Sequence, residues 1–84
     1  MPPITIYTTS TCPYCHAAKA LLKKKGLAYS EVDVTGRPAE RRAMTERAGR
    51  TSVPQIFIGD HHVGGCDDLY ALEEAGRLDP LLAA

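Results

Sequence analysis

The period of the apolar residues changes several times along the chain, and each change predicts an element. Ile4 to Thr8 is a short, dense, β-branched run, which reads as a first strand buried on both faces. After Thr9-Ser10-Thr11, whose side chains are N-cap candidates, the spacing turns helical. Pro13 suits a first helical turn, and Gly26 stops the helix after about Lys25. Tyr14, Ala17, Ala18, Leu21 and Leu22 share one face of it, while Lys19, Lys23 and Lys24 face water. Tyr29 to Val34 alternates as a second strand, with Val32 and Val34 to one side and Glu31 and Asp33 to the other.

Thr35-Gly36-Arg37-Pro38 turns into a second helix, roughly Ala39 to Ala48, closed by Gly49. It is mostly polar, with Ala43, Met44 and Ala48 among its few apolar residues, and is expected to be the more exposed helix. Gln55 to Ile58 is a third strand, Gly59-Asp60 a turn, and His61 to Val63 a short fourth strand completing a hairpin. Gly64-Gly65 then leads sharply into a third helix, from Cys66 to about Ala75, whose first turn carries Asp67 and Asp68. Gly76 ends it, and Asp79-Pro80 caps a last short turn with Leu81 and Leu82.

The order βαβαββα predicts an α/β fold: a four-stranded mixed sheet flanked by helices, in one domain over residues 1–84. At 84 residues there is room for one core, and an apolar fraction of 44% is enough to pack it. Ten basic and ten acidic side chains cancel, which removes bulk attraction to nucleic acid or an anionic membrane. No apolar run approaches the roughly 20 residues that span a bilayer. Neither an export signal nor a paired-cysteine scaffold is legible, since the three cysteines are odd in number. A reducing, cytoplasmic compartment is the expectation.

Chemistry concentrates at Cys12-Pro13-Tyr14-Cys15. A C-x-x-C between strand and helix puts its first sulfur at a helix N-terminus, where free N–H groups and the dipole favour a thiolate. The second lies within the first turn, close enough to close a small disulfide ring. This predicts redox work, with Cys12 as the exposed nucleophile and Cys15 as the resolving thiol. Zinc would need two more ligands from Cys66, His61 and His62, and these form no second C-x-x-C or H-x-x-x-H. Cys12 to His16 also spells the haem-attachment pattern, but no export signal accompanies it, and His16 reads as a solvated helix residue. Tyr14 is either a half-buried ring over the helix start or a wall beside a ligand. Cys66 is a small packing residue or a third oxidisable thiol.

Three motifs in this order, Cys12-Pro13-Tyr14-Cys15, Ser52-Val53-Pro54 and Gly64-Gly65-Cys66-Asp67-Asp68, resemble those of the glutaredoxin family. The similarity is to its small bacterial dithiol members (the glutaredoxin 3 type), over essentially the whole chain. The resemblance implies a thioredoxin-like fold and a glutathione-dependent thiol–disulfide oxidoreductase acting on protein disulfides and glutathione mixed disulfides. Glutathione would be the reducing co-substrate, with no metal at the site. Disulfide-bearing or glutathionylated proteins would be the partners, glutathione reductase an indirect one, and the chain a monomer.

The same resemblance implies a glutathione site. Tyr14 would form a wall, and Pro54 would be cis beside the active cysteines. Val53, with Ser52 next to it, would pair by its backbone with the cysteinyl portion. The backbone of Cys66 and Asp67 would take the γ-glutamyl carboxylate, with the Asp67 side chain toward the ligand's ammonium. Arg41 would hold the glycyl carboxylate. Many members carry lysine three residues before the first cysteine, where this chain has Thr9, which implies a weaker hold on glutathione or a less acidic thiol. Two other classes compete. An iron–sulfur carrier would share a cluster between Cys12 and glutathione of two subunits, but Pro13 stands where such members have glycine. A thioredoxin-like donor reduced by a flavoenzyme is disfavoured by Tyr14, by Cys66-Asp67 and by the absence of tryptophan.

Overall fold

The computed structural model describes residues 2–83. In chain order its elements are β1 (Ile4–Thr8), α1 (Pro13–Lys24), β2 (Ser30–Asp33), α2 (Pro38–Ala48), β3 (Gln55–Ile58), β4 (His61–Gly64), α3 (Cys66–Glu74) and α4 (Leu78–Ala83). The strands lie in the order β2-β1-β3-β4, with β1 and β2 parallel and the other two pairings antiparallel. This is the mixed sheet that the element order predicts.

One face of the sheet carries the main core. Ile4 and Ile6 of β1 and Ile56 and Ile58 of β3 meet Ala18, Leu21 and Leu22 of α1, Leu69 of α3, and Leu78 and Leu82 of α4. The opposite face is covered by α2, which has little apolar surface to offer. Met44 is its one buried residue, 0% exposed. Arg47 supplements it, its guanidinium carbon 3.9 Å from the Phe57 ring centroid. Its two terminal nitrogens donate to Tyr7 Oη at 3.4 Å and to the Gly59 carbonyl at 3.1 Å. A cation over an aromatic face, with its charge shared among hydrogen bonds, docks a helix that apolar packing alone would hold weakly.

This asymmetry corrects three expectations. β1 is not buried on both faces: Ile4, Ile6 and Thr8 are buried, while Thr5 and Tyr7, under α2, are half-buried. β2 is shorter than Tyr29 to Val34, because it is an edge strand with Ser30, Glu31 and Asp33 exposed. The last turn is a full fourth helix, α4, so the order is βαβαββαα. Its Leu78 and Leu82, one turn apart, both enter the core. Lys25 ties the end of α1 to this region, with Nζ 2.9 Å from Glu73 and 2.9 Å from Asp79.

Candidate active site

β1 ends at Thr8, which is 1% exposed and donates its hydroxyl to Glu31 Oε2 at 2.7 Å. Lys19 pairs with the same carboxylate oxygen at 2.9 Å. The Thr8 hydroxyl and then Lys19 hold the Glu31 carboxyl below its ordinary value. This fixes the sheet end from which the loop to α1 departs. In that loop the Ser10 N–H donates to Thr35 Oγ1 at 3.0 Å.

The N-cap of α1 is not one of the hydroxyl side chains expected there. It is Cys12, extended at φ −87° and ψ 111°, whose sulfur accepts the Cys15 N–H at 3.2 Å. The reason is Pro13. Proline is favoured as the first helical residue, where its missing N–H costs nothing, so the residue before it becomes the cap. Negative charge on this sulfur is met by a backbone N–H and by the positive end of α1. On its other side, Cys12 Sγ lies 3.7 Å from the Val53 carbonyl oxygen.

Cys15 is the opposite case. It is 0% exposed on the inner side of α1. Burial, followed by its hydrogen bond with Cys12, pushes its thiol up to about 12. At neutral pH it keeps its proton. Two cysteines three residues apart therefore differ in access and in surroundings, one capping the helix at its open end and the other enclosed, which is the asymmetry an attacking and a resolving thiol require.

Two segments converge beside Cys12. The Val53–Pro54 bond is cis, with Pro54 buried and Ser52 and Val53 in the bend before β3. Gly64 has φ +115°, and the following Gly65 donates its N–H to Asp68 Oδ2 at 2.9 Å, closing the start of α3. Arg50 donates to that same oxygen at 3.2 Å. The Gly65 N–H first, with Arg50 assisting, holds the Asp68 carboxyl below its ordinary value. Together these segments and α1 bound a concavity of about 190 Å³, lined by Tyr14, Arg50, Ser52, Val53, Pro54, Gly65, Cys66, Asp67 and Asp68.

Six residues singled out from sequence thus share one wall: Tyr14, Ser52, Val53, Pro54, Cys66 and Asp67. Tyr14 is 64% exposed, so it stands at the rim rather than on the apolar face of α1. Cys66 is buried, and burial pushes its thiol up, with Asp67 adding to the effect. Arg41 lies elsewhere. It donates to the Thr51 carbonyl at 2.9 Å and lines a separate groove with Thr9 and Arg37. Arg50 is the cation in the concavity, and sequence reasoning passed over it as part of a loop. Gln55 was also passed over, although a polar residue opening the apolar run Gln55-Ile56-Phe57-Ile58 was a legible signal.

Two of the three histidines have local partners. His16 is exposed, its Nε2 3.2 Å from the Ser10 carbonyl. His62 stacks on Phe57 with ring centroids 4.9 Å apart, and its Nε2 lies 2.7 Å from Gln55 Oε1. Burial holds its ring below the ordinary histidine value, with Arg50 adding and Asp68 opposing. Among the described residues, no three His, Cys, Asp or Glu side chains gather as a metal-binding group.

A family model for glutaredoxin matches residues 4–63. The chain is 60% identical over 79 residues to glutaredoxin 3 of Escherichia coli, covering 94% of this chain and 95% of that one. It is 57% identical to a glutaredoxin of Pseudomonas aeruginosa over 84 residues, the whole of both chains. Among solved structures, the solution structure of a glutaredoxin from Brucella melitensis superposes with a TM-score of 0.86 at 57% identity, covering 98% of this chain and 89% of that one. A crystal structure of a buckwheat glutaredoxin–glutathione complex superposes with a TM-score of 0.89 at 29% identity, covering 98% and 77%.

Proposed function

The chain belongs to the glutaredoxin family, and from that membership we propose that Cys12 is the attacking thiolate and Cys15 the resolving thiol of its reaction. The fold is thioredoxin-like, and the activity is glutathione-dependent thiol–disulfide oxidoreduction with glutathione as co-substrate. The observation that carries the assignment is the contrast between the two sulfurs. Cys12 Sγ caps α1 beside the concavity, whereas Cys15 is enclosed with its thiol pushed up to about 12.

In the dithiol route Cys12 attacks one sulfur of a substrate disulfide, the S–S bond breaks, and the departing thiolate takes a proton. Cys15 then gives up its proton and attacks Cys12 Sγ, releasing the second substrate thiol and leaving Cys12–Cys15 oxidised. One glutathione attacks Cys12 Sγ and restores the Cys15 thiol; a second removes the first as glutathione disulfide and restores Cys12. In the monothiol route Cys12 takes the glutathionyl sulfur of a glutathionylated protein, freeing the protein thiol, and a second glutathione releases it. Protein disulfides and glutathionylated proteins are the proposed substrates, and glutathione reductase completes the cycle indirectly.

Glutathione is read into the concavity with its cysteinyl backbone along Val53 and its γ-glutamyl carboxylate at the start of α3, at Cys66 and Asp67. Tyr14 and Pro54 flank the sulfur, and Ser52 supports Val53. An exposed arginine beside Asp68, Arg50, offers a second charge to the ligand. Arg41 reaches it only if its side chain leaves the Thr51 carbonyl. We read residues 1–84 as one domain, since core residues run from Ile4 to Leu82. A monomer is supported by the exposure of only two large apolar side chains among the described residues, Tyr14 and Tyr70. No described helix is long and apolar enough to cross a membrane, and the reducing cytoplasm is the proposed compartment.

The test is glutathione-coupled reduction of a glutathione mixed disulfide by native protein, Cys12→Ser and Cys15→Ser. Loss in Cys12→Ser with activity kept in Cys15→Ser is expected. Activity surviving in Cys12→Ser would overturn the assignment.

A further inference from the structure

Gln55 is the one polar side chain of β3, 0% exposed and followed by Ile56, Phe57 and Ile58, all buried. It pairs with Tyr7 across the central strands, so its backbone is rigidly held. An apolar residue would suit this position, and an amide is tolerated there only if its polar atoms are all paired. They are. Nε2 donates to the Ser52 carbonyl at 3.0 Å and reaches Ser52 Oγ at 3.2 Å, while Oε1 lies 2.7 Å from His62 Nε2.

Only one orientation of the amide satisfies this set. Flipped, Oε1 would face the Ser52 carbonyl, two acceptors with no hydrogen between them. With Oε1 committed to accepting, the His62 ring must carry a hydrogen on Nε2. That ring is fixed in turn by stacking on Phe57 at 28° between planes, and Phe57 lies beneath Arg47 of α2. A continuous series of contacts therefore runs from α2 through Phe57, His62 and Gln55 to Ser52. The next residue is Val53, whose carbonyl faces Cys12 Sγ at 3.7 Å.

We infer that Gln55 is a positioning residue: its amide grips Ser52 by both oxygens and so fixes the Val53 peptide edge against which the glutathionyl group aligns, with His62 setting the amide the right way round. The inference rests on the reading of Val53 as the backbone partner of glutathione. Neither residue reaches the reacting sulfurs, so their effect falls on how the glutathionyl group is held.

The experiment compares native protein, Gln55→Leu, His62→Phe and the double variant on two substrates. One is the preformed mixed disulfide of glutathione and 2-mercaptoethanol; the other is hydroxyethyl disulfide reduced by dithiothreitol, which has no glutathionyl group. Gln55→Leu should raise KM for the first by about three- to ten-fold, the loss of one or two neutral hydrogen bonds, with kcat nearly unchanged. It should leave the second substrate unaffected. His62→Phe keeps the stack on Phe57 and should shift KM in the same direction by less, and the double variant should be no worse than Gln55→Leu. Urea unfolding checks that each variant is folded. A folded Gln55→Leu with native KM overturns the inference, as does a fall confined to kcat. If Gln55→Leu does not fold, His62→Phe decides, and a native KM there overturns it. If native protein itself shows no preference for the glutathionyl substrate, the Val53 reading has failed first and this inference falls with it.

Discussion

Alkali should destabilise this protein through Cys15, by an amount that the structure allows to be worked out. The Cys15 thiol, 0% exposed, is pushed from 9.0 to about 12, first by burial and then by its hydrogen bond with Cys12. In the unfolded chain it returns to the ordinary value. Below pH 9 both states hold the proton, and Cys15 contributes no pH dependence. Between about pH 9 and pH 12 the unfolded chain has lost a proton that the native protein keeps, so unfolding releases it and stability falls as pH rises. One such group gives a slope of at most about 1.4 kcal/mol per pH unit, which integrates to about 1 kcal/mol by pH 10 and about 3 kcal/mol by pH 11. Against the roughly 5–15 kcal/mol of a typical domain, the larger figure is easily measured.

The assay is urea unfolding of fully reduced protein from pH 7 to pH 11, for Cys66→Ala and for Cys66→Ala/Cys15→Ala. Cys66 is removed from both because burial pushes its thiol up as well. Lys19 and Lys25, whose ammonium groups are favoured first by hydrogen bonds to Glu31 and Glu73, also lose stabilising charge in alkali; Lys25 does so equally in both proteins, while Cys15 is the last and smallest of the charges acting on Lys19. Replacing Cys15 by alanine leaves a small cavity, a cost that does not depend on pH. Relative to the alanine protein, the protein that keeps Cys15 should therefore lose stability above pH 9 by about the amounts given. Curves that stay parallel from pH 8 to pH 11 would refute the reasoning, since Cys15 would then not be holding a proton against alkali.

Three further outcomes are expected. Met44→Ala should cost about 2–4 kcal/mol in urea unfolding, because Met44 is the one fully buried side chain of α2; a cost below about 1 kcal/mol would mean that Arg47 alone docks the helix. Gly64→Ala should destabilise by more than about 1 kcal/mol, since φ is +115° and the new methyl would collide with the Asp68 carboxylate; adding Asp68→Ala should relieve the collision but not the backbone cost. Thr9→Lys should lower KM for glutathione about two- to five-fold, since Thr9 lines the Arg41 groove and a new surface cation there gains modest attraction to a carboxylate; an unchanged KM would show that this groove does not meet the ligand.

What was legible in the sequence follows from periodicity. Strands and helices that bury a continuous apolar stripe, such as Ile4-Ile6 or Leu21-Leu22, announce themselves. The fourth helix did not, because Leu78 and Leu82 are a single pair one turn apart and Pro80 between them reads as a break. In the structure Pro80 lies in the first turn of α4, where its missing N–H is harmless. Residues of the concavity were found where motifs mark them, but which cation approaches it was not. Arg41 and Arg50 are nine residues apart, and the difference depends on which carbonyl or carboxylate each meets after the chain has folded: Thr51 O for one, Asp68 for the other. Tyr14 lies at helical spacing from Ala17 and Ala18, yet in the first turn it is Cys15 that turns inward while Tyr14 stands out into solvent.

The cap of α1 suggests why two intervening residues suit this chemistry. A capping side chain reaches the N–H of the third helical residue, and Cys12 caps α1 while Cys15 is that residue. The interval that lets the first sulfur accept a backbone hydrogen bond therefore also sets the second thiol beside it. With one residue fewer or more, the cap and the neighbouring thiol would no longer coincide. Pro13 locks the register by fixing where the helix begins. Burial then separates the two roles: the sulfur ahead of the helix stays open to a substrate, and the one inside the first turn keeps its proton until the mixed disulfide brings a target against it.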